Sequence, residues 1–251
     1  MTSLFESVLF IALVLMLASL VIFAVAKTGK ISSTESDQPV PPVWIVAAVI
    51  SIWLALTAVL AASGALANFA LLPPRVLLAP LPVLIGIMVL NRTAMFKRFL
   101  ETAPAVWLVG FQTFRIVMEL ILWLLYKGGV IPVQMTPEGL NFDVLAGLTA
   151  PAVAYFCFVK KSWPLGVAIG WNIVALLLLI NIVVIAILSS PVPFRLFMNE
   201  PANRIIAFFP FIWLPTFVVP LALLGHIASL RQLLARPQPA SLSERKFFVS
   251  H

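Results

Sequence analysis

The sequence predicts an all-α protein, a polytopic bundle of about seven transmembrane helices, and two observations carry that prediction. The chain has 251 residues, of which 62% are hydrophobic and 10% are charged. A soluble domain has about 45–50% apolar and about 25% charged residues. The apolar residues also fall into runs close to the roughly 20 residues that a helix needs to cross a bilayer. Residues 1–230 are therefore expected to form a single transmembrane domain.

Seven apolar runs are separated by turn-forming residues, such as Pro73-Pro74, Gly128-Gly129 and Ser189-Ser190-Pro191. The third run is short and contains Pro80 and Pro82, so whether it crosses fully stays open. The predicted spans are 5–26, 43–62, 76–90, 103–126, 142–159, 165–188 and 205–228.

Lys and Arg are unevenly divided between the two sides of such a bundle. The sparse side has Arg75, Lys127, Arg195 and Arg204, and the rich side has Lys27, Lys30, Arg92, Lys97, Arg98, Lys160, Lys161, Arg231, Arg236, Arg245 and Lys246. Because cytoplasmic loops are enriched in Lys and Arg, the N-terminus is expected outside and the C-terminus in the cytoplasm. Residues 231–251 are expected to be a basic, flexible cytoplasmic tail. The charges do not cluster on one face, so no nucleic-acid partner is predicted.

The fourth run contains three polar residues, Gln112, Arg115 and Glu119, where lipid would be expected. Gln112 and Glu119 are seven residues apart and point within about 20° of each other on a helix, with Arg115 about 60° away. An Arg at the bilayer centre costs about 2.5–3.5 kcal/mol on insertion scales. This shared face therefore predicts a site inside the bundle or facing a wet cavity. The alternative is a buried Arg–Glu pair that only locks helices together.

Further polar residues are expected at the same depth. Asp143 lies at the outer end of the fifth run, and Thr149 lies deeper in it. Asn172 and Asn181 in the sixth run are half a turn out of phase, so one of them is expected to join, and Asn181 matches the level of Glu119. The predicted ligand-binding residues are Gln112, Arg115, Glu119, Asn181, Thr149 and Asp143.

No catalytic residue, metal site or cofactor is predicted. Cys157 is the single cysteine, and no HExxH, phosphate-binding loop or GxSxG motif occurs. His226 has no second intramembrane histidine to share a haem, and it is interpreted as interfacial. Residues 135–143 and 193–204 are interpreted either as an outer cap over the polar face or as solvated loops with salt bridges.

Three stretches of the C-terminal half resemble a group of uncharacterised bacterial multi-spanning membrane proteins. They are FRIVMELILW, VIPVQMTPEGLNFDVLAGLTAP and SSPVPFRLFMNEPANRIIAFFPFIWLPTFVVPLALLGHIASLRQL, within residues 111–233. The resemblance implies a multi-pass protein of the bacterial inner (cytoplasmic) membrane. It implies no activity, ligand or catalytic residue.

Three functions follow as hypotheses, all with the lipid bilayer as a partner. The first is transport of a small solute, an ion or a proton through the polar site. The second is a non-transporting receptor, sensor or complex subunit that binds a small polar or ionic ligand or a lipid, with a protein partner or a second copy of the chain. The third, an enzyme acting on lipid, ranks last because no catalytic set is found.

Overall fold

Helices form most of the part of the chain that the computed structural model describes, residues 4–35 and 42–235. No β-strand occurs in that part. The all-α prediction is therefore confirmed. The α-helices are α1 Leu4–Glu35, α2 Val43–Ala62, α3 Arg75–Leu78, α4 Leu81–Leu90, α5 Ala94–Thr102, α6 Ala105–Gly110, α7 Phe114–Lys127, α8 Val144–Ala154, α9 Leu165–Leu188 and α10 Val219–Leu234.

Five helical segments of the described residues are long and apolar enough to cross a membrane, and a bent pair raises the number to six. The five are Leu4–Gly29, Val43–Ala62, Ala105–Lys127, Leu165–Leu188 and Leu214–Ala235. A short 3₁₀ turn, Phe111–Thr113, joins α6 to α7 within the third of them. The membrane character predicted from the sequence fits these helices, whereas the count of seven is not confirmed.

The two remaining predicted spans form shorter helices. The predicted span 142–159 is the 16-residue stretch Val144–Val159, which ends in a π-helical turn. The predicted span 76–90 becomes Arg75–Leu90, and it is followed by α5 at an angle of 77°. Thr93 caps α5 by accepting a hydrogen bond from the Phe96 amide at 3.2 Å, which starts a new helix after the turn. Phe96 and Leu100 then pack beside Ala228 of α10.

The last span begins and ends later than predicted. A π-helical turn, Leu214–Val218, leads into α10, which continues to Leu234. The first residues of the predicted tail, 231–234, therefore belong to this helix. Residues 236–251 lie outside the described part of the chain. Pro220 has no N–H to donate to the Thr216 carbonyl. That carbonyl instead accepts a hydrogen bond from the Trp53 indole of α2 at 2.8 Å, which supplies the partner that buried backbone requires.

Contacts between the described segments define two ends of the bundle. At one end Arg231 contacts the Asn91 side-chain oxygen at 2.9 Å, and Leu233 packs with Cys157 and Ala168. We call this the basic end, because it carries the Lys and Arg residues of the predicted rich side that lie in the described chain. The opposite end, formed by residues 63–74, 128–143 and 189–213, is called the cap end.

Helices α7 and α8 approach each other closely at Gly147. A Cβ atom there would lie 2.8 Å from the Ile116 amide nitrogen and 3.2 Å from the Arg115 Cβ. Only a residue without a side chain permits that distance without movement of the backbone. Gly147 therefore helps to set the separation of the two helices next to Arg115.

We predict that Gly147→Ala destabilises the protein, because the added methyl group would push α8 away from α7. Overpacking of a close contact costs about 1–3 kcal/mol. The measurement is the thermal unfolding midpoint in detergent, with Gly170→Ala as the matched control. Gly170 is also helical but has no atom within 4 Å of its Cβ position. Equal midpoints for both variants would contradict the prediction.

Candidate functional site

Arg115 forms a two-point ion pair with Asp143, the residue that precedes α8. The Arg115 Nε donates to Asp143 Oδ2 at 2.6 Å, and Nη2 donates to Asp143 Oδ1. Arg115 is 2% exposed and Asp143 is 5% exposed. A guanidinium and a carboxylate in this fork geometry form the strongest class of side-chain hydrogen bond. The cost of a buried cation in α7 is therefore offset by a buried anion from the cap end.

The other donors of Arg115 are also used. An arginine has five N–H donors and no acceptor. Nη1 and Nη2 both contact the Ala175 carbonyl of α9, at 3.4 and 3.3 Å, and Nη1 lies 3.1 Å from His226 Nε2. With the two bonds to Asp143, every N–H of Arg115 has an acceptor. Arg115 thus has no donor left for a ligand.

The contact with Arg115 fixes the protonation of His226. Arginine can only donate, so His226 Nε2 must accept and carries no proton. The proton of the neutral ring is then on Nδ1, which donates to Asn172 Oδ1 at 3.0 Å. The Asn172 amide in turn donates to Ser229 Oγ at 3.0 Å. Arg115, His226, Asn172 and Ser229 form one hydrogen-bonded chain that runs from mid-bundle toward the basic end.

The sequence interpretation of His226 as interfacial was wrong. The side chain is fully buried, and it lies in the middle of the last span because that span continues to Leu234. Asn172 is also buried, at 1% exposure. A predicted last span that ended near Leu234 would have placed His226 at the depth of the polar site.

Glu119 has a different partner from the one that the sequence suggested. The spacing of Arg115 and Glu119 pointed to an ion pair between them, but within the described residues no hydrogen bond or ion pair joins the two. Glu119 Oε2 accepts a hydrogen bond from the Asn141 amide at 2.6 Å. Its Oε1 has no hydrogen-bond partner among the described residues, and this oxygen is not completely enclosed by protein. Glu119 is therefore a buried carboxylate, 3% exposed, with one oxygen free.

A folded loop between α7 and α8 supplies both partners of the polar face. The Asn141 amide also donates to the Met135 carbonyl at 3.0 Å, and Asn141 Oδ1 accepts from the Asp143 amide at 3.0 Å. At the loop surface, Glu138 pairs with Lys127 at 2.7 Å and accepts from the Trp123 indole. The hydrogen bond from Lys127 lowers the pKa of Glu138, with a smaller effect from Trp123. The first stretch of the expected cap thus packs onto the polar face.

The second cap stretch packs onto the first. The Gln134 amide donates to Ser189 Oγ at 2.8 Å, and its oxygen accepts from the Asn199 amide at 2.6 Å. Arg195 holds Glu200 at 2.9 Å. A hydrogen bond from Arg195 lowers the pKa of Glu200. The two outer stretches therefore pack together as the expected cap, and they also carry the salt bridges expected of solvated loops.

Gln112 lies on the polar side of the helix but outside the ion-pair network. Its amide donates to the Ala222 carbonyl of α10 at 3.0 Å, and its Oε1 is buried without a hydrogen-bond partner among the described residues. A Cβ at Gly225 would lie 2.7 Å from the Gln112 amide nitrogen, so the glycine leaves room for this side chain.

The structure does not bring Thr149 and Asn181 into the network. Both side chains are exposed. Thr149 accepts a hydrogen bond from the Trp171 indole at 2.8 Å, and Asn181 donates to the Leu140 carbonyl at 2.9 Å. Of the two asparagines of α9, it is Asn172 that joins the network.

A cavity of about 200 Å³ borders the polar face. Arg115, Glu119 and Asp143 contribute to its wall, and nearly all other lining residues are apolar. The walls come from α3, α4, α7, α9 and the start of the last span, where Pro215 and Pro220 lie. Among the described residues, no group of His, Cys, Asp and Glu is arranged to hold a metal ion.

The comparison with protein families adds one result. Residues 71–234 match the family described as "Domain of unknown function (DUF8737)". The chain belongs to this family. The DUF8737 segment covers α3 to α10 and contains every residue of the polar network, which agrees with the uncharacterised family expected from the C-terminal half. No curated protein and no solved structure matches the chain.

We predict that Arg115→Met destabilises the protein strongly, because it leaves the buried Asp143 carboxylate without its cation. Removing one partner of a buried ion pair costs about 3–5 kcal/mol. Asp143→Asn should cost less, because Arg115 and Glu119 would then balance each other. The measurement is the free energy of unfolding in mixed micelles.

The double variant Arg115→Met with Asp143→Leu provides the control for this prediction. It removes both charges of the pair, so part of the stability lost in Arg115→Met should return. Asp143→Asn as damaging as Arg115→Met, or a double variant no more stable than Arg115→Met, would contradict the described pairing.

Proposed function

We propose that the protein transports a small cation or protons across a membrane, with Glu119 as the group that binds and releases the charge. The observation that carries this proposal is the free oxygen of the buried Glu119 carboxylate at the wall of the cavity. Of the side chains predicted from the sequence, Glu119 is the working group, Arg115 and Asp143 support it, and Thr149 and Asn181 take no part.

The charges of the buried network do not balance. Arg115 contributes one positive charge, Asp143 and Glu119 contribute one negative charge each when ionised, and His226 is neutral because it accepts from Arg115. One negative charge is left over. An unpaired charge in a medium of low polarity is costly, so the group is neutralised or paired. Glu119 therefore carries a proton or faces a bound cation, and exchange between these states is the elementary step of transport.

The rest of the network holds Glu119 in place and does not conduct protons. Arginine does not release its proton in proteins. A relay from Glu119 through Arg115 to His226 is thus interrupted at the guanidinium. Asp143 is saturated by Arg115, and Asn141 orients Glu119 Oε2. Charge must reach and leave Glu119 through the cavity.

The membrane and the orientation of the protein are part of the proposal. Its apolar helices suit a bilayer, and the basic end suits the cytoplasmic side. With the likeness of its C-terminal half to bacterial membrane proteins, this favours the bacterial cytoplasmic membrane and a cap end that faces outward.

A second candidate function is a receptor, or a subunit of a membrane complex, that binds a ligand without transporting it. The position of the cavity favours it, because Leu84, Val183 and Ile187 in its wall are partly exposed on the apolar side of the bundle. A ligand could then enter the cavity from the lipid and bind there without crossing the membrane. Binding without flux separates this function from transport.

We predict that Glu119→Gln abolishes proton or cation flux, because glutamine keeps the size of the side chain but cannot exchange a proton or hold a cation. The measurement is the rate of internal pH change in liposomes that contain purified protein, with a pH-sensitive dye inside and an imposed ion gradient.

The matched control is Glu101→Gln. Glu101 is exposed at the basic end, where it pairs with Lys97 at 3.9 Å, and a surface pair of this kind is worth at most about 1 kcal/mol. Its flux should equal that of the unchanged protein. If Glu119→Gln folds and keeps its flux, Glu119 is not the working group.

A further inference from the structure

The cavity is bordered by three charged side chains, Arg115, Glu119 and Asp143. Arg115 has used all of its N–H donors, and both oxygens of Asp143 are bound by Arg115. Of the charged groups in the wall, only Glu119 retains an unpartnered oxygen within the described residues. A carboxylate accepts hydrogen bonds and attracts positive charge. The polar part of an occupant must therefore be a cation that donates hydrogen bonds.

The remaining wall requires an apolar body. Leu84, Leu122, Leu179, Val183 and Val218 are among the side chains that surround the space. Ca²⁺ takes six to eight oxygen ligands and Mg²⁺ takes six, which a single carboxylate oxygen among aliphatic groups does not supply. Apolar surface of a ligand that enters the cavity is shielded from water, which favours binding. The wall thus favours an organic cation over an inorganic one.

The size of the cavity restricts the ligand further. A volume of about 200 Å³ equals the share of roughly six or seven water molecules at about 30 Å³ each. Drug-sized ligands occupy pockets of about 300–1,000 Å³. The occupant is consequently a small molecule, of the size of one aromatic ring with a short side arm.

The open side of the cavity is also apolar. Leu84, Val183 and Ile187 are partly exposed there, next to Ile85 at 59% exposure on α4 and Val184 at 46% on α9. A ligand that dissolves in the bilayer can enter between these two helices with its apolar part in contact with lipid.

We infer that the cavity binds a small lipophilic ammonium ion, whose apolar body packs on α4 and α9 and whose ammonium group pairs with Glu119. This inference rests on the proposed function, for which it names the class of cation. The exchange is balanced: when the ammonium ion binds, the Glu119 carboxyl releases its proton to water, and the net charge of the site is zero before and after. Ammonium and protons therefore compete for one oxygen.

The test uses 4-fluorobenzylammonium and ¹⁹F NMR on the full chain in lipid nanodiscs, with empty nanodiscs to subtract partition into lipid. We expect saturable binding that weakens as the pH is lowered. 4-Fluorobenzyl alcohol, which has the same ring without the charge, should bind at least about tenfold more weakly, since hydrogen bonds to charged groups are worth about 1.5–3 kcal/mol. Equal affinity for the ammonium and the alcohol would overturn the inference.

Two variants locate the binding. Glu119→Gln should reduce ammonium affinity by at least about tenfold and leave the alcohol unchanged. Val183→Trp should fill the cavity and abolish binding of both molecules while Glu119 stays in place, and Glu101→Gln should change neither. If Val183→Trp keeps full ammonium affinity, the site lies elsewhere, and this holds even if Glu119→Gln fails to fold.

The inferred ammonium binding and the proposed transport can each be refuted without the other. Proton flux that depends on Glu119 without saturable ammonium binding would overturn the inference and leave the proposed transport intact. Ammonium binding that depends on Glu119 without any flux would support the inference and make the protein a receptor or a subunit.

Discussion

The ion pair between Arg115 and Asp143 is the interaction on which the rest of the polar interior depends. Arg115, in the middle of the span Ala105–Lys127, has five N–H donors, and three structural elements supply their acceptors: the loop before α8, the backbone of α9 and the ring of His226 on α10. Each acceptor restricts its own element. Asp143 fixes the start of α8, Ala175 fixes the depth of α9, and His226 must be neutral with its proton on Nδ1.

The saturation of Arg115 is what gives Glu119 its character. Had the two side chains paired along the helix, the face would be neutral and closed, as a structural lock is. Because Arg115 is used by Asp143, Glu119 keeps a free oxygen beside an apolar cavity and needs a proton or a cation from outside the network. The same arrangement explains why a membrane helix tolerates three polar residues: two of them, Gln112 and Arg115, are bound to other helices and loops, and the third is available for exchange.

Much of the architecture could be predicted from the sequence, because apolar runs of the right length form helices in any bilayer protein. Boundaries were less predictable where backbone chemistry overrides hydropathy. The stretch before Leu214 is as apolar as a span but contains Pro210 and stays outside the long helix, which moves His226 to mid-bundle. The polar face was visible from spacing within α7, whereas its partners were not. Asn141 and Asp143 reach it only because a short loop folds inward, and Asn172 joins through His226, a contact between helices that spacing along one helix does not encode.

The central claim is that Glu119 is the one exchangeable charge of the buried network, and isotope-edited infrared spectroscopy tests it most directly. A protonated carboxyl group buried in a protein gives a carbonyl band that separates from ionised carboxylates. The account predicts such a band in the protein in lipid, absent in Glu119→Gln, which disappears when 4-fluorobenzylammonium is added and is replaced by carboxylate absorption. A Glu119 that shows no protonated band in the free protein, or one that persists at saturating ammonium, would contradict the account.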